Sequence, residues 1–179
     1  MWHRILLLAI HANDLSPMIA KDGAFQIAKS PGILCTITAT PTGLRKIDLQ
    51  LSSSFCCILS TPYFEKEILS WLVDYSRGHP SSPTNLPFDL GVLSPFQKSV
   101  LQEMQNLAYG TTVSYKDLAK CIGCPQGARA IGNACNKNPL PLVIPCHRII
   151  ASDGTIGGFG YGIEMKTRLL NFENSSLYD

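Results

Sequence analysis

Ser114-Tyr-Lys-Asp-Leu-Ala-Lys-Cys-Ile-Gly-Cys-Pro-Gln-Gly-Ala-Arg-Ala-Ile-Gly-Asn-Ala-Cys135 decides how the second half of this chain folds. Ser114 caps a helix with Asp117 in its first turn, a short turn spans Cys121 to Cys124, and Pro125 opens the next helix, which runs to about Cys135. Two helices joined by so short a turn predict a helix-turn-helix, although any αα-hairpin inside a core has similar spacing. The second of these helices is unusual in composition. Gly127, Ala128, Ala130, Gly132 and Ala134 are small and Arg129 is its one long cation, and each internal glycine costs roughly 1 kcal/mol relative to alanine. Such smallness implies close approach, either to a packed helix or to a partner outside the fold.

Upstream, Ser94-Pro-Phe-Gln97 reads as a capping box, and Phe96, Val100, Leu101, Met104 and Leu107 then recur on one helical face, with Gly110 expected to close the helix. Gly78 to Gly91 carries Pro80, Ser81, Ser82, Pro83 and Pro87 and reads as a linker. Before it, Ile33–Ala39 and Leu44–Leu51 read as strands joined at a Thr40-Pro-Thr-Gly43 turn. Thr61 is expected to cap a helix with Pro62 at its first position, with Phe64, Ile68, Leu69, Leu72 and Tyr75 facing that sheet. The fold class is therefore α+β. A small α/β domain occupies 1–77, a linker 78–91, and a mainly helical domain with the helix-turn-helix 92–179.

At 179 residues, 45% hydrophobic and 16% charged, the chain has the composition of a folded protein rather than a disordered or highly charged tail. Residues 1–93 carry seven Lys or Arg against seven Asp or Glu. Ser114 to Arg148 carries Lys116, Lys120, Arg129, Lys137 and Arg148 against Asp117 alone, which permits phosphate contacts without requiring them. Seven irregularly spaced cysteines do not make a secreted disulfide framework, so a cytoplasmic location is expected. Ile5 to Ile10 is short for a signal sequence, and no run is long enough for a membrane span.

Chemistry concentrates in Asn138-Pro-Leu-Pro-Leu-Val-Ile-Pro-Cys-His-Arg148. Pro139 and Pro141 exclude helix, Leu142 to Ile144 form a short buried run, and Pro145 fixes the backbone ahead of Cys146. A lone buried cysteine is usually inert. Here an imidazole and a guanidinium follow it, one able to take a thiol proton and the other to favour the thiolate. Cys121-x-x-Cys124 has half the spacing of a zinc site but no second pair, and reads as structural; His3, His11 and Cys35 suggest zinc only by residue type.

Ser94-Pro-Phe-Gln, Thr111-Thr-Val-Ser-Tyr, Ala128-Arg-Ala-Ile-Gly-Asn-Ala, Asn138-Pro and Ile144-Pro-Cys-His-Arg-Ile-Ile150 together resemble the O6-alkylguanine-DNA alkyltransferases, also called methylated-DNA–protein-cysteine methyltransferases. The resemblance runs from about Pro87 to Glu173. It implies a ribonuclease-H-like first domain, a winged helix-turn-helix second domain, and single-turnover transfer of an alkyl group from guanine O6 in DNA to Cys146. His147 would act as base through a water, Glu173 would orient the imidazole, Asn138 would hold the turn beside Cys146, and Tyr115 would donate its hydroxyl to the flipped base.

By the same resemblance, Arg129 would fill the stack that the guanine leaves. Gly127, Ala128 and Gly132 would let the helix approach the minor groove, with Ser114, Lys116 and Arg148 as further contacts to double-stranded DNA. Ile144, Pro145, Phe159 and Gly160 would line the base pocket, where Phe159 stands at a position commonly occupied by tyrosine. No cofactor, metal or membrane is implied, and a monomer is expected. The rival readings are a lesion-binding relative without transfer, which would lack the acceptor cysteine, a helix-turn-helix regulator, which needs no Pro-Cys-His-Arg, and a cysteine hydrolase, which would turn over repeatedly.

Overall fold

The computed structural model describes residues 31–78 and 86–174 in full and the backbone of 9–11 and 14–18. Two compact units form, Met1–Gly91 and Val92–Asp179. The side chains of His3 and His11, the start of the N-terminal apolar run and the Pro80–Pro83 stretch lie outside the described residues. No helix among the described residues is long and apolar enough to cross a membrane.

In the first unit, β1 (Ala9–His11) pairs antiparallel with β2 (Asp14–Met18). A second sheet has the order β4-β3-β5, with β3 (Ile33–Thr40) antiparallel to β4 (Gly43–Leu51) and parallel to β5 (Cys56–Leu59). Strict alternation along β3 buries Ile33, Cys35, Ile37 and Ala39 on one face. The helix α1 (Glu65–Ser76) buries Ile68, Trp71, Leu72, Val73 and Tyr75. The short strand β5 has no counterpart among the strands expected from the sequence, being four residues long and separated from a serine run by Phe55 alone.

Two expectations for this half need correction. Helix α1 starts at Glu65 rather than Pro62, because the Thr61 hydroxyl donates to Ala39 O at 2.9 Å and so ties the turn to the end of β3; Phe64, at φ 59°, precedes the helix. The described end of the expected linker is also bonded into the unit. Leu44 N donates to Pro87 O and Asp89 N to Leu44 O, each at 2.8 Å, and Arg45 pairs with Asp89 at 3.0 Å. Gly43 is required there, since a Cβ would stand 2.3 Å from Pro87 O.

The second unit opens with α2 (Pro95–Gln105), whose Ser94–Gln97 capping box is present in both directions. The helix ends at Gln105 rather than at Gly110. That glycine, at φ 68°, instead lets the chain pass the end of the last helix, where a Cβ would lie 3.0 Å from Glu173 O. Then come β6 (Val113–Ser114), α3 (Tyr115–Cys121) and α4 (Ala128–Asn136). Helix α4 begins at Ala128 rather than Pro125, because Gly127 N closes a turn onto Cys124 O at 2.7 Å. A single 3-10 turn, Cys146–Arg148, leads into β7 (Ile149–Ile150), and α5 (Ile163–Glu173) completes the unit. Parallel pairing of Val113 with Ile149 and Ser114 with Ile150 brings the start of α3 beside the strand that leaves Cys146.

Candidate active site

Cys146 is buried in the 3-10 turn, and its approach is fixed by local bonds: Cys146 N donates to Ile144 O at 2.8 Å and Arg148 N to Pro145 O at 3.0 Å. Leu142 adopts φ 72° just upstream, a conformation that a branched residue holds only when its surroundings impose it. Asn138 supplies much of that constraint. Its Nδ2 donates to Ile144 O at 2.6 Å and to Cys146 Sγ at 3.1 Å, while its Oδ1 accepts from Leu140 N at 3.0 Å. Ile144 and Pro145 are buried alongside, as parts of this frame.

Burial pushes the Cys146 thiol up, and the Asn138 amide, the turn's own backbone N–H groups and the Lys166 ammonium pull it back towards the thiolate. Behind it, His147 Nε2 lies 2.8 Å from Glu173 Oε1. A carboxylate at that distance makes Nε2 the protonated nitrogen and leaves Nδ1 as the acceptor. Nδ1 is buried and has no hydrogen-bond partner among the described residues. Burial alone would raise the Glu173 carboxyl, but His147 and Arg148 overcome it and hold the group well below the usual carboxylate range.

Arg148, expected at the DNA surface, is instead interior. Its Nε and Nη2 donate to the two Glu173 oxygens at 2.7 and 2.9 Å, its Nη1 donates to Leu107 O at 2.7 Å, and its guanidinium lies 5.5 Å from the Tyr109 ring centre. The bidentate fit occupies the fork that a phosphate would need. Gly127 is likewise corrected. It is buried, and a Cβ there would meet Cys124 Sγ at 2.7 Å, so its smallness serves the turn between α3 and α4.

On the other side of the site, Tyr115 Oη donates to Gly158 O at 3.2 Å, and burial, with the Cys135 and Cys146 thiols, pushes the phenol up to about 12, so it stays a proton donor. Phe159 stands edge-on to His147, with ring centres 6.5 Å apart, and packs against Tyr161 at 5.7 Å. Gly157, at φ 68°, holds a conformation that favours glycine, and a Cβ there would crowd the Tyr115 ring at 3.2 Å. Gly160 is exposed on the same loop.

The sequence reading missed Lys166. It is 0% exposed, donates to Ile149 O and to Gly158 O, the latter at 3.1 Å, and lies 5.9 Å from the Tyr115 ring centre. Burial brings its ammonium down to about 8. A helical projection of α5 contains the signal, because Lys166 and Glu173 fall on the same stripe as the buried Leu169 and Leu170. Arg129 and Lys116 are exposed on α4 and α3, Ala128 and Gly132 are half-buried, and the Ser114 hydroxyl is used in capping α3, accepting from Asp117 N at 3.0 Å.

The sequence model described as the 6-O-methylguanine DNA methyltransferase DNA binding domain matches residues 95–175, which hold every group of this site. Over 111 residues the chain is 39% identical to a probable methylated-DNA–protein-cysteine methyltransferase of Acanthamoeba polyphaga mimivirus, covering 62% of this chain and 73% of that protein. This chain belongs to the methylated-DNA–protein-cysteine methyltransferase family. A Saccharomyces cerevisiae methylated-DNA–protein-cysteine methyltransferase is 34% identical over 113 residues, 63% of this chain and 60% of that one, so the chain spans less than two thirds of the yeast relative. The structure of Mycobacterium tuberculosis OGT in complex with DNA superposes with a TM-score of 0.62 at 29% identity, covering 79% of this chain and 93% of that chain. The mixed α+β architecture is common to both.

Proposed function

We propose that this chain repairs DNA by moving the alkyl group of O6-alkylguanine irreversibly onto Cys146. The observation that carries this reading is the buried thiol held by Asn138, with the His147–Glu173–Arg148 array behind it, in a chain of this family. In the reaction a bond forms between Sγ and the alkyl carbon while the bond from that carbon to O6 breaks. The thiol proton goes through a water to His147 Nδ1, the imidazolium is stabilised by Glu173, and Arg148 keeps Glu173 ionised. Tyr115 donates to the departing guanine. With no step that frees the sulfur, one protein molecule serves one lesion.

The target oxygen lies on a stacked and paired edge, so the nucleotide must rotate out of the helix before attack. Arg129 fills the gap, with α4 in the minor groove and Lys116 near the backbone, while Ile144, Pro145, Phe159 and Gly160 surround the extruded base. The reading includes a ribonuclease-H-like first domain and a winged helix-turn-helix second domain, divided at Gly91 rather than by a linker over 78–91, acting as a cytoplasmic monomer. The β4-β3-β5 sheet with α1, and the α3-turn-α4 pair beside β6 and β7, support that description.

The test is titration of a duplex bearing one O6-methylguanine with increments of protein, followed by mass analysis of the peptide containing Cys146. Repair should stop at one lesion per protein molecule, with one methyl group on that peptide. Repeated turnover, or label on Cys121, Cys124 or Cys135, would refute the assignment.

A further inference from the structure

Helix α4 carries more than Arg129 on its outer side. Arg129, Asn133 and Asn136 are exposed and recur at i, i+4 and i+7, a single line on a helix of 3.6 residues per turn, while Ile131 and Ala134 are buried on the opposite side. Asn136 sits beside the pocket loop, its Oδ1 3.8 Å from where a Cβ on residue 160 would stand. Asn133 is different. Its side chain makes no hydrogen bond with the described residues, and its neighbours Gly132 and Ala130 leave the carboxamide as the one projecting polar group between Arg129 and Asn136. Asparagine is also a poorer helix former than alanine at such an exposed interior position, and neither capping nor packing accounts for it.

We infer that Asn133 reads the minor-groove edge of a base pair near the lesion and makes the rate of repair depend on whether that pair is A·T or G·C. The inference rests on the proposed function, with α4 in the minor groove and Arg129 in the gap left by the extruded guanine; the matched region, described as a DNA binding domain, includes this helix. Four residues along a helix advance the chain about 6 Å, and base pairs are stacked about 3.4 Å apart. Asn133 therefore meets the pair roughly two steps from the lesion. The floor of an A·T pair offers only acceptors, purine N3 and thymine O2, to which a carboxamide NH2 donates directly. At a G·C pair the guanine N2 amino group stands in that space, where the small neighbours of Asn133 bring the backbone close.

The experiment measures single-turnover repair of duplexes with one O6-methylguanine, in which the pair two steps away on either side is A·T or G·C. For the unaltered protein, repair should be about three- to tenfold faster with A·T on one side, the range expected for one or two hydrogen bonds. In Asn133→Ala that ratio should fall below about twofold. Each ratio is taken within one protein preparation, so a loss of active fraction does not imitate the effect. An equal preference in both proteins, no preference in either, or a preference for G·C would overturn the inference while leaving repair itself in place. Failure of the unaltered protein to repair any duplex would instead overturn the proposed function.

Discussion

Cys35 and Cys146 are buried thiols in the two halves of one chain, and burial pushes both away from the thiolate. Cys35 sits on β3 directly opposite Cys57 of β5, and among the described residues the titratable groups acting on it are the Cys57 and Cys56 thiols, which raise it further. Cys146 receives an amide hydrogen bond from Asn138, backbone N–H groups and the field of Lys166. Burial by itself thus makes an inert small hydrophobe. Burial among fixed donors makes a sulfur whose charge can be met at the moment of attack, without the reorganisation that water would need.

The largest expected effect comes from removing the two thiol groups. Cys146→Ala should abolish alkyl transfer completely, with no label at any other cysteine. Cys35→Ala should keep one-to-one transfer and lose only about 1 kcal/mol of stability, the scale of a small buried deletion. Calorimetry and the lesion titration read both. Loss of transfer in Cys35→Ala would break the comparison, because a thiol in the first unit would then matter to the chemistry.

The next effect concerns the charges behind the nucleophile. Glu173→Gln leaves Arg148 buried without its anion, so a loss of about 3 kcal/mol is expected from denaturant unfolding, with alkyl transfer strongly slowed. The pH dependence has a definite sign. The folded carboxyl lies below its unfolded value, so its contribution is complete above the usual glutamate range near pH 4.3 and is lost as pH falls below it. Glu173→Gln should flatten that acid limb. The first unit provides the contrast, since its Arg45–Asp89 and Lys46–Asp48 pairs lie at the surface.

The smallest effect compares helix starts. Ser94 caps α2 and Gln97 returns the bond, whereas α1 begins at Glu65, where the preceding Phe64 offers no side-chain cap. Ser94→Ala should cost about 1 kcal/mol, measured by thermal or urea unfolding, with transfer stoichiometry unchanged. Thr61→Ala removes no helix cap, so its effect should instead track the lost hydroxyl bond to Ala39 O. If Thr61→Ala lowered helix content at α1, the corrected start of that helix would be wrong.

Local chemistry was legible in the sequence. The Ser94 and Ser114 caps, the β3–β4 hairpin, the break before α4 and the rigid Pro145-Cys146-His147 stretch each depend on residues within a few positions of one another, so residue type and spacing were enough. The same reading misplaced Arg148, which looked like one more surface cation in a basic segment, and overlooked Lys166, a charge on an otherwise apolar helix face. It also assigned Gly127 to a partner and Gly110 to a helix end, when each makes room for a particular neighbour, Cys124 and Glu173. Only the tertiary structure decided these. Arg148 and Glu173 are 25 residues apart and Gly110 and Glu173 are 63 apart, and a charge becomes a buried structural partner only when folding brings its counterpart within hydrogen-bond reach and removes the water that would otherwise solvate it.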